Sequence, residues 1–189
     1  FFITETVSDD FVYSTDITFN NDNPDSAAAL VFRKKVAAED NNYMYVANLS
    51  PSGKFRLFKF EPDTGSNIAH EGNIADLGIE KKDTYTLKVV CVGRKISYYI
   101  DDVLVTSTGD YFAPNYPNLF AGFGQKDIIL KGNLGFLTWG VGEGADITYQ
   151  NVYYGEITEG NTPQLTDLQI SDGAEYENNF KSTQYNYQQ

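Results

Sequence analysis

Arg33 and Arg56 stand inside apolar runs, LVFR and KFRLFKF, where a long solvated side chain is not expected. A guanidinium presents a planar fork of donors that matches vicinal hydroxyls or a carboxylate. Trp139, in GFLTWGV, adds an indole able to stack on the apolar face of a sugar ring while its N–H meets a hydroxyl. Each residue also has a plain structural use. An arginine can pair with an acid across a sheet, and a lone Trp can fill a core. Alternation groups Trp139 with Leu137, and Phe136 with Thr138, without saying which pair faces out. The chemistry these residues offer is recognition rather than bond breaking.

Groups suited to catalysis are sparse. His70, the only His, lies in the polar run SNIAHEGN, and Cys91, the only Cys, lies in the strand-like TLKVVCVG with nothing beside it to lower its pKa. One His and one Cys cannot make a zinc site. Glycosidic hydrolysis needs two carboxylates facing one bond. Here Asp101 and Asp102 sit at a turn, Asp9 and Asp10 precede a strand, and Glu143 and Asp146 flank another turn. No cofactor is expected. Acids and amides gather at Asp9, Asp10 and Asp16 and at Asn21, Asp22, Asn23 and Asp25, a donor set that admits a structural calcium, though without EF-hand spacing. No metal ligand is assigned.

The elements that must position these groups read as strands. AAALVFRKK, YMYVANLS and KFRLFKF are three apolar runs separated by polar turns, a sheet whose outer face would present the arginines. In FVYSTDITF, Phe11, Tyr13, Thr15, Ile17 and Phe19 share one face. In TYTLKVVCVG, Tyr85, Leu87, Val89 and Cys91 form the candidate core side. Asp101–Asp102 between KISYYI and VLVTS reads as a hairpin turn. Residues 61–83 look irregular, with room for one or two short strands near Ile68, Ile74, Leu77 and Ile79. Helical periodicity is absent, and Lys34 to Asp40 is the one doubtful stretch. The pattern predicts an all-β fold of about ten to thirteen short strands in a two-sheet antiparallel sandwich, a jelly roll of the concanavalin or laminin-G kind. The sandwich is expected over residues 1–157, with 158–189 a linker and the truncated start of an immunoglobulin-like module, or a polar extension lying on the sandwich.

The chain of 189 residues carries a formal charge of -12, with 41% hydrophobic and 15% aromatic residues. Such a field repels phosphate backbones and anionic bilayers, so neither nucleic acid nor membrane insertion is expected, while a neutral glycan is unaffected. No run approaches the roughly 18 apolar residues of a membrane span. The chain opens on FFI with no Met, so a piece of a longer protein is expected.

The order of blocks DFVYSTDITF, AAALVFR, NNYMYVANL, GKFRLFKF, YTLKVVCVGRKISYYIDDVLV, GNLGFLTWG and ADITYQNVYY, over residues 3–157, resembles the family 66 carbohydrate-binding modules. These accompany secreted bacterial fructan-degrading enzymes, and similar sandwiches form the second domain of family 32 glycoside hydrolases. The resemblance implies a non-catalytic sandwich that holds the terminal fructose of levan, inulin or a related β-fructan. It also implies a covalently linked catalytic domain, a glycoside hydrolase or fructosyltransferase, in an extracellular, secreted or cell-wall-associated parent. Carried over, Arg33 and Trp139 fall at positions of that pocket, and Arg56 less directly. Glu5 and Tyr43 are added from position and chemistry, since a sugar needs acceptors as well as donors. The insertion DYFAPNYPNLFAGFGQKDIILKG, with Tyr111, Tyr116 and Gln125, departs from the family and bears on which sugar fits. Two other readings of the fold stay open: a laminin-G-like adhesion domain binding protein or other glycans, and a jelly-roll hydrolase or lyase.

Overall fold

The computed structural model describes residues 2–34, 44–61, 65–93, 95–107, 131–142, 144–158 and 179–183. They form β1 (Phe2–Ser8), β2 (Phe11–Phe19), β3 (Ala27–Lys34), β4 (Met44–Leu49), β5 (Lys54–Glu61), β6 (Gly65–Asn73), a 3-10 turn (Ile74–Leu77), β7 (Thr84–Val92), β8 (Lys95–Ile100), β9 (Val103–Ser107), β10 (Gly132–Trp139), β11 (Asp146–Glu156) and β12 (Asn179–Thr183). The strands build two six-stranded sheets, in the orders β1-β10-β3-β4-β5-β6 and β12-β11-β2-β7-β8-β9. Every pairing is antiparallel. This is the two-sheet sandwich that the strand periodicity predicts. No helix among the described residues is long and apolar enough to cross a membrane.

The core lies between the sheets. Phe11, Tyr13, Ile17, Tyr85, Leu87, Val89 and Cys91 of the second sheet face Ala28, Leu30, Phe32, Ala47, Leu49 and Leu57 of the first, all within one buried cluster. The candidate core side of β7 is therefore its core face, and the face that groups Phe11, Tyr13 and Ile17 is that of β2. Three tyrosines of the second sheet cross the core with their hydroxyls. Tyr13 donates to Gly135 O (3.1 Å), Tyr98 to Asn48 O (2.9 Å) and Tyr149 to Leu137 O (3.1 Å). Each ring buries apolar surface while its hydroxyl meets a backbone acceptor of the opposite sheet, so neither group is left unpaired. The abundance of Tyr thus reflects ties between the sheets as well as wet strand faces.

β3 is buried along its whole length because both of its faces are covered. On the side away from the core, Ala29, Val31, Met44 and Val46 form a second apolar cluster, with Ile3, Phe58, Phe60, Leu137 and Trp139 packed against it. Trp139 accordingly belongs to the outer side of the first sheet with Leu137, whereas Phe136 and Thr138 turn inward.

Two local features bear out the turn chemistry. Asp101 and Asp102 have φ of 50 and 63, the paired left-handed conformation of a type I′ hairpin turn, between β8 and β9. Asn23 holds the β2–β3 connection by donating to Val141 O and Gly144 O, both at 2.8 Å. The stretch 61–83 differs from expectation: β6 is a nine-residue strand pairing with β5 over most of its length, followed by the 3-10 turn. It lies at a sheet edge, where main-chain pairing needs no apolar alternation. The Lys34 to Asp40 stretch and the long insertion fall largely outside the described residues. At the far end, Ile157 N–H donates to Asp10 O (2.8 Å), and β12 lies beside β11 at the edge of the second sheet.

Candidate functional site

Arg33 owes its position to a bulge. Between the pairs Asn133↔Lys34 and Gly135↔Val31, β3 has two residues, Phe32 and Arg33, where β10 has one. The extra residue breaks the alternation that would place Arg33 on the outer face with Ala29 and Val31. Arg33 takes φ 49, costly for a residue with a Cβ, and is 1% exposed. Gly132, across the bulge, is required: a Cβ there would lie 2.5 Å from both Arg33 C and Lys34 O.

The guanidinium reaches under the turns at one end of the sandwich. Its Nη2 donates to Asp9 O (2.8 Å), in the β1–β2 turn, and to Gly93 O (2.7 Å), after β7. Asp10 supports the same corner by accepting from Gly93 N–H (2.7 Å), and its carboxylate lies 3.9 Å from the guanidinium. Arg33 Nε is buried without a hydrogen-bond partner. Lys34 and Lys59 are also buried, 8% and 1% exposed, and burial lowers the pKa of Lys34. Cys91, behind the guanidinium, is pushed up to about 12 by burial, which outweighs the opposing influence of Arg33. It is an inert core thiol.

The other sequence-derived candidates divide between this corner and a different surface. Glu5 lies on β1 between Ile3, which pairs with Gly135, and Val7, which pairs with Asn133; this register is level with the bulge. Tyr43 lies outside the described residues; the strand it precedes begins at Met44, and there Tyr45 turns inward to stack on Phe32 at 5.7 Å. Trp139 pairs with Ala27, six residues along β3 from Arg33, a separation of about 20 Å at strand rise. One monosaccharide cannot touch both. Arg56 is on the outer side, pairs with Asn48, and donates through Nε to Glu71 at 3.1 Å, with both side chains more than half exposed. An exposed pair of that kind contributes less than about 1 kcal/mol.

Sequence reading missed Asn48, 5% exposed in the row Leu137–Ala29–Asn48–Arg56, and the buried Lys59. A polar residue inside YMYVANL was the available signal for the first. Lys59 follows Phe55 and Leu57 on the inward face of β5 by simple alternation, a signal the sequence did carry. Of the residues considered as calcium ligands, Asp16 accepts from Thr86 and Asn151, Asp10 accepts from Gly93 N–H, and Asn23 donates to Val141 O and Gly144 O. Among the described residues no three His, Cys, Asp or Glu side chains form a metal-binding group.

No family model matches the chain. It is 30% identical over 171 residues to the fructan beta-fructosidase of Streptococcus mutans, covering 90% of this chain and 11% of that protein. It is 33% identical over 111 residues to the levanase of Bacillus subtilis, covering 58% of this chain and 15% of that one. The chain thus corresponds to a small part of each relative. Among solved structures, the carbohydrate-binding module CBM66 from Bacillus subtilis superposes with a TM-score of 0.57 at 25% identity, over 80% of this chain and 78% of that one. A native glycosidic hydrolase superposes at 0.53 with 14% identity, covering 80% and 66%, which speaks to fold alone. In fold and in sequence, the chain is a CBM66-like β-sandwich domain.

Proposed function

We propose that this domain is a non-catalytic module that binds β-fructan and holds a linked fructan-degrading catalytic domain, in an extracellular parent, against its substrate. The observation that carries this reading is the coincidence of a carbohydrate-binding-module likeness with sequence relatives named for fructan hydrolysis. The site we assign is the corner around Arg33. There a guanidinium is anchored by two carbonyls, and its buried Nε has no protein acceptor. A buried donor left unpaired calls for a partner, and a sugar hydroxyl is of the right kind. In this reading Glu5 and Tyr43 supply further contacts to a terminal fructose at that end. Trp139 and Arg56, on the outer side of the first sheet, are assigned to a separate stretch of the polymer. A calcium ion, if bound, would be structural.

The test is affinity gel electrophoresis in levan and in inulin. Wild-type protein is expected to be retarded by at least one, and Arg33→Lys, which keeps the charge and loses the planar fork, to lose most of that retardation. A wild-type protein that migrates unretarded in both gels would overturn the fructan reading.

A further inference from the structure

We propose that the outer face of the second sheet is a second glycan-contacting site, one that takes a neutral chain segment rather than a chain end. The inference shares its ligand class with the function proposed above and rests on different residues. In register across four strands stand Tyr153 (β11), Ser14 (β2), Lys88 (β7) and Tyr99 (β8). Ser14 points away from the core, since Tyr13 and Thr15 on either side of it point in, yet it is only 1% exposed, and its Oγ is buried with no hydrogen-bond partner. A hydroxyl buried among protein groups that leave it unpaired is unfavourable by itself and gains from a ligand that supplies the missing bond.

The neighbours give the site its chemistry. Tyr153 and Tyr99, both partly exposed, stand three strand spacings apart, about 14 Å. That leaves room for more than one sugar ring between two aromatic platforms. Lys88 pairs with Asp102 and sets its Nζ 4.8 Å from the Tyr99 ring centroid. Asp16, one row along, is oriented by Thr86 Oγ1 (2.6 Å) and by Asn151 Nδ2 (2.8 Å). Asn151 reaches it from a bulge of its own, at φ 49 between the pairs Gln150↔Asp16 and Tyr153↔Ser14. The face therefore mixes donors, acceptors and rings, and Lys88 is balanced by an acid. A neutral polyol fits this surface. A polyanion is disfavoured by the charge of -12. Access to Ser14 requires the Lys88 stem to move aside, a rotamer change for a side chain that is 17% exposed.

The experiment compares Tyr99→Ala, Tyr153→Ala and Ser14→Ala with wild type in levan and inulin gels, with thermal unfolding measured in parallel. Each tyrosine variant is expected to weaken retention by about fivefold. Ser14→Ala is expected to weaken retention while leaving the unfolding midpoint unchanged or higher, because it deletes an unpaired group; a merely structural serine would not give that combination. Binding of a short fructo-oligosaccharide should depend on Arg33 and not on these three residues. Unchanged polymer retention in all three variants overturns the second site. If wild-type protein ignores fructans altogether, the reading around Arg33 falls separately, and neutral β-glucan, xylan and arabinan gels then test this face. Retention by one of them that Tyr153→Ala removes supports the site, and retention by none overturns it.

Discussion

Arg33 illustrates how a single side chain can tie turns together and still keep a donor for something else. Its two hydrogen bonds hold the carbonyl of Asp9, in the β1–β2 turn that leads into the second sheet, and that of Gly93, in the β7–β8 turn within it. Arg33→Ala is therefore expected to destabilise the domain by about 2–3 kcal/mol, since it removes a buried side chain together with both of its hydrogen bonds to the turns. Chemical denaturation would show this as a lower midpoint at unchanged slope. Cys91 allows a second prediction at this scale. Its pKa rises from 9.0 to about 12 on folding, and burial also raises those of Tyr85, Tyr98 and Tyr149. The unfolded chain gives up these protons at lower pH than the folded one. Their contribution to stability is thus complete below about pH 9 and is lost as pH rises toward 12. A denaturation series from pH 8 to 11 should show falling stability, with a shallower fall in Cys91→Ala; a flat profile would contradict it.

The strands are coupled by contacts that no single element contains. The β10–β3 bulge requires Gly132, because any Cβ at that position runs into the backbone of Arg33 and Lys34. Gly132→Ala is expected to cost about 1–3 kcal/mol, measurable as a lowered melting temperature. Tyr149 ties β11 to the other sheet, with its hydroxyl 2.8 Å from Thr138 Oγ1, donating to Leu137 O and accepting from Ala29 N–H at 3.3 Å. Tyr149→Phe keeps the ring and removes all three contacts, so a loss of about 1–3 kcal/mol is expected with no change in secondary structure by circular dichroism.

At the scale of the whole molecule, a charge of -12 on a binding module matters through what it excludes. Recognition of a neutral polymer rests on hydrogen bonds and ring contacts, so retention on fructan should change by less than about twofold between low and high salt. A steep salt dependence would indicate an ionic partner instead. The sandwich as a class was legible in the chain itself. Alternation in DFVYSTDITF grouped the residues that share the core face of β2, alternation in TYTLKVVCVG picked out the core side of β7, and the Asp101–Asp102 pair marked its hairpin, because side-chain period and turn conformation are local properties.

The candidate site was only half legible, and the reason is the same in each case. Residue types alone singled out Arg33, Arg56 and Trp139, since guanidinium and indole chemistry travels with the side chain. Where each one points depends on a partner strand. Arg33 is turned inward by a bulge against β10, about a hundred residues along the chain. Trp139 is drawn outward by its register with Ala27. Ser14 and Tyr99, unremarkable in sequence, come into line only because β2, β7 and β8 are neighbours. Chain order sets the chemistry each residue can perform; pairing between distant strands sets which of them share a face.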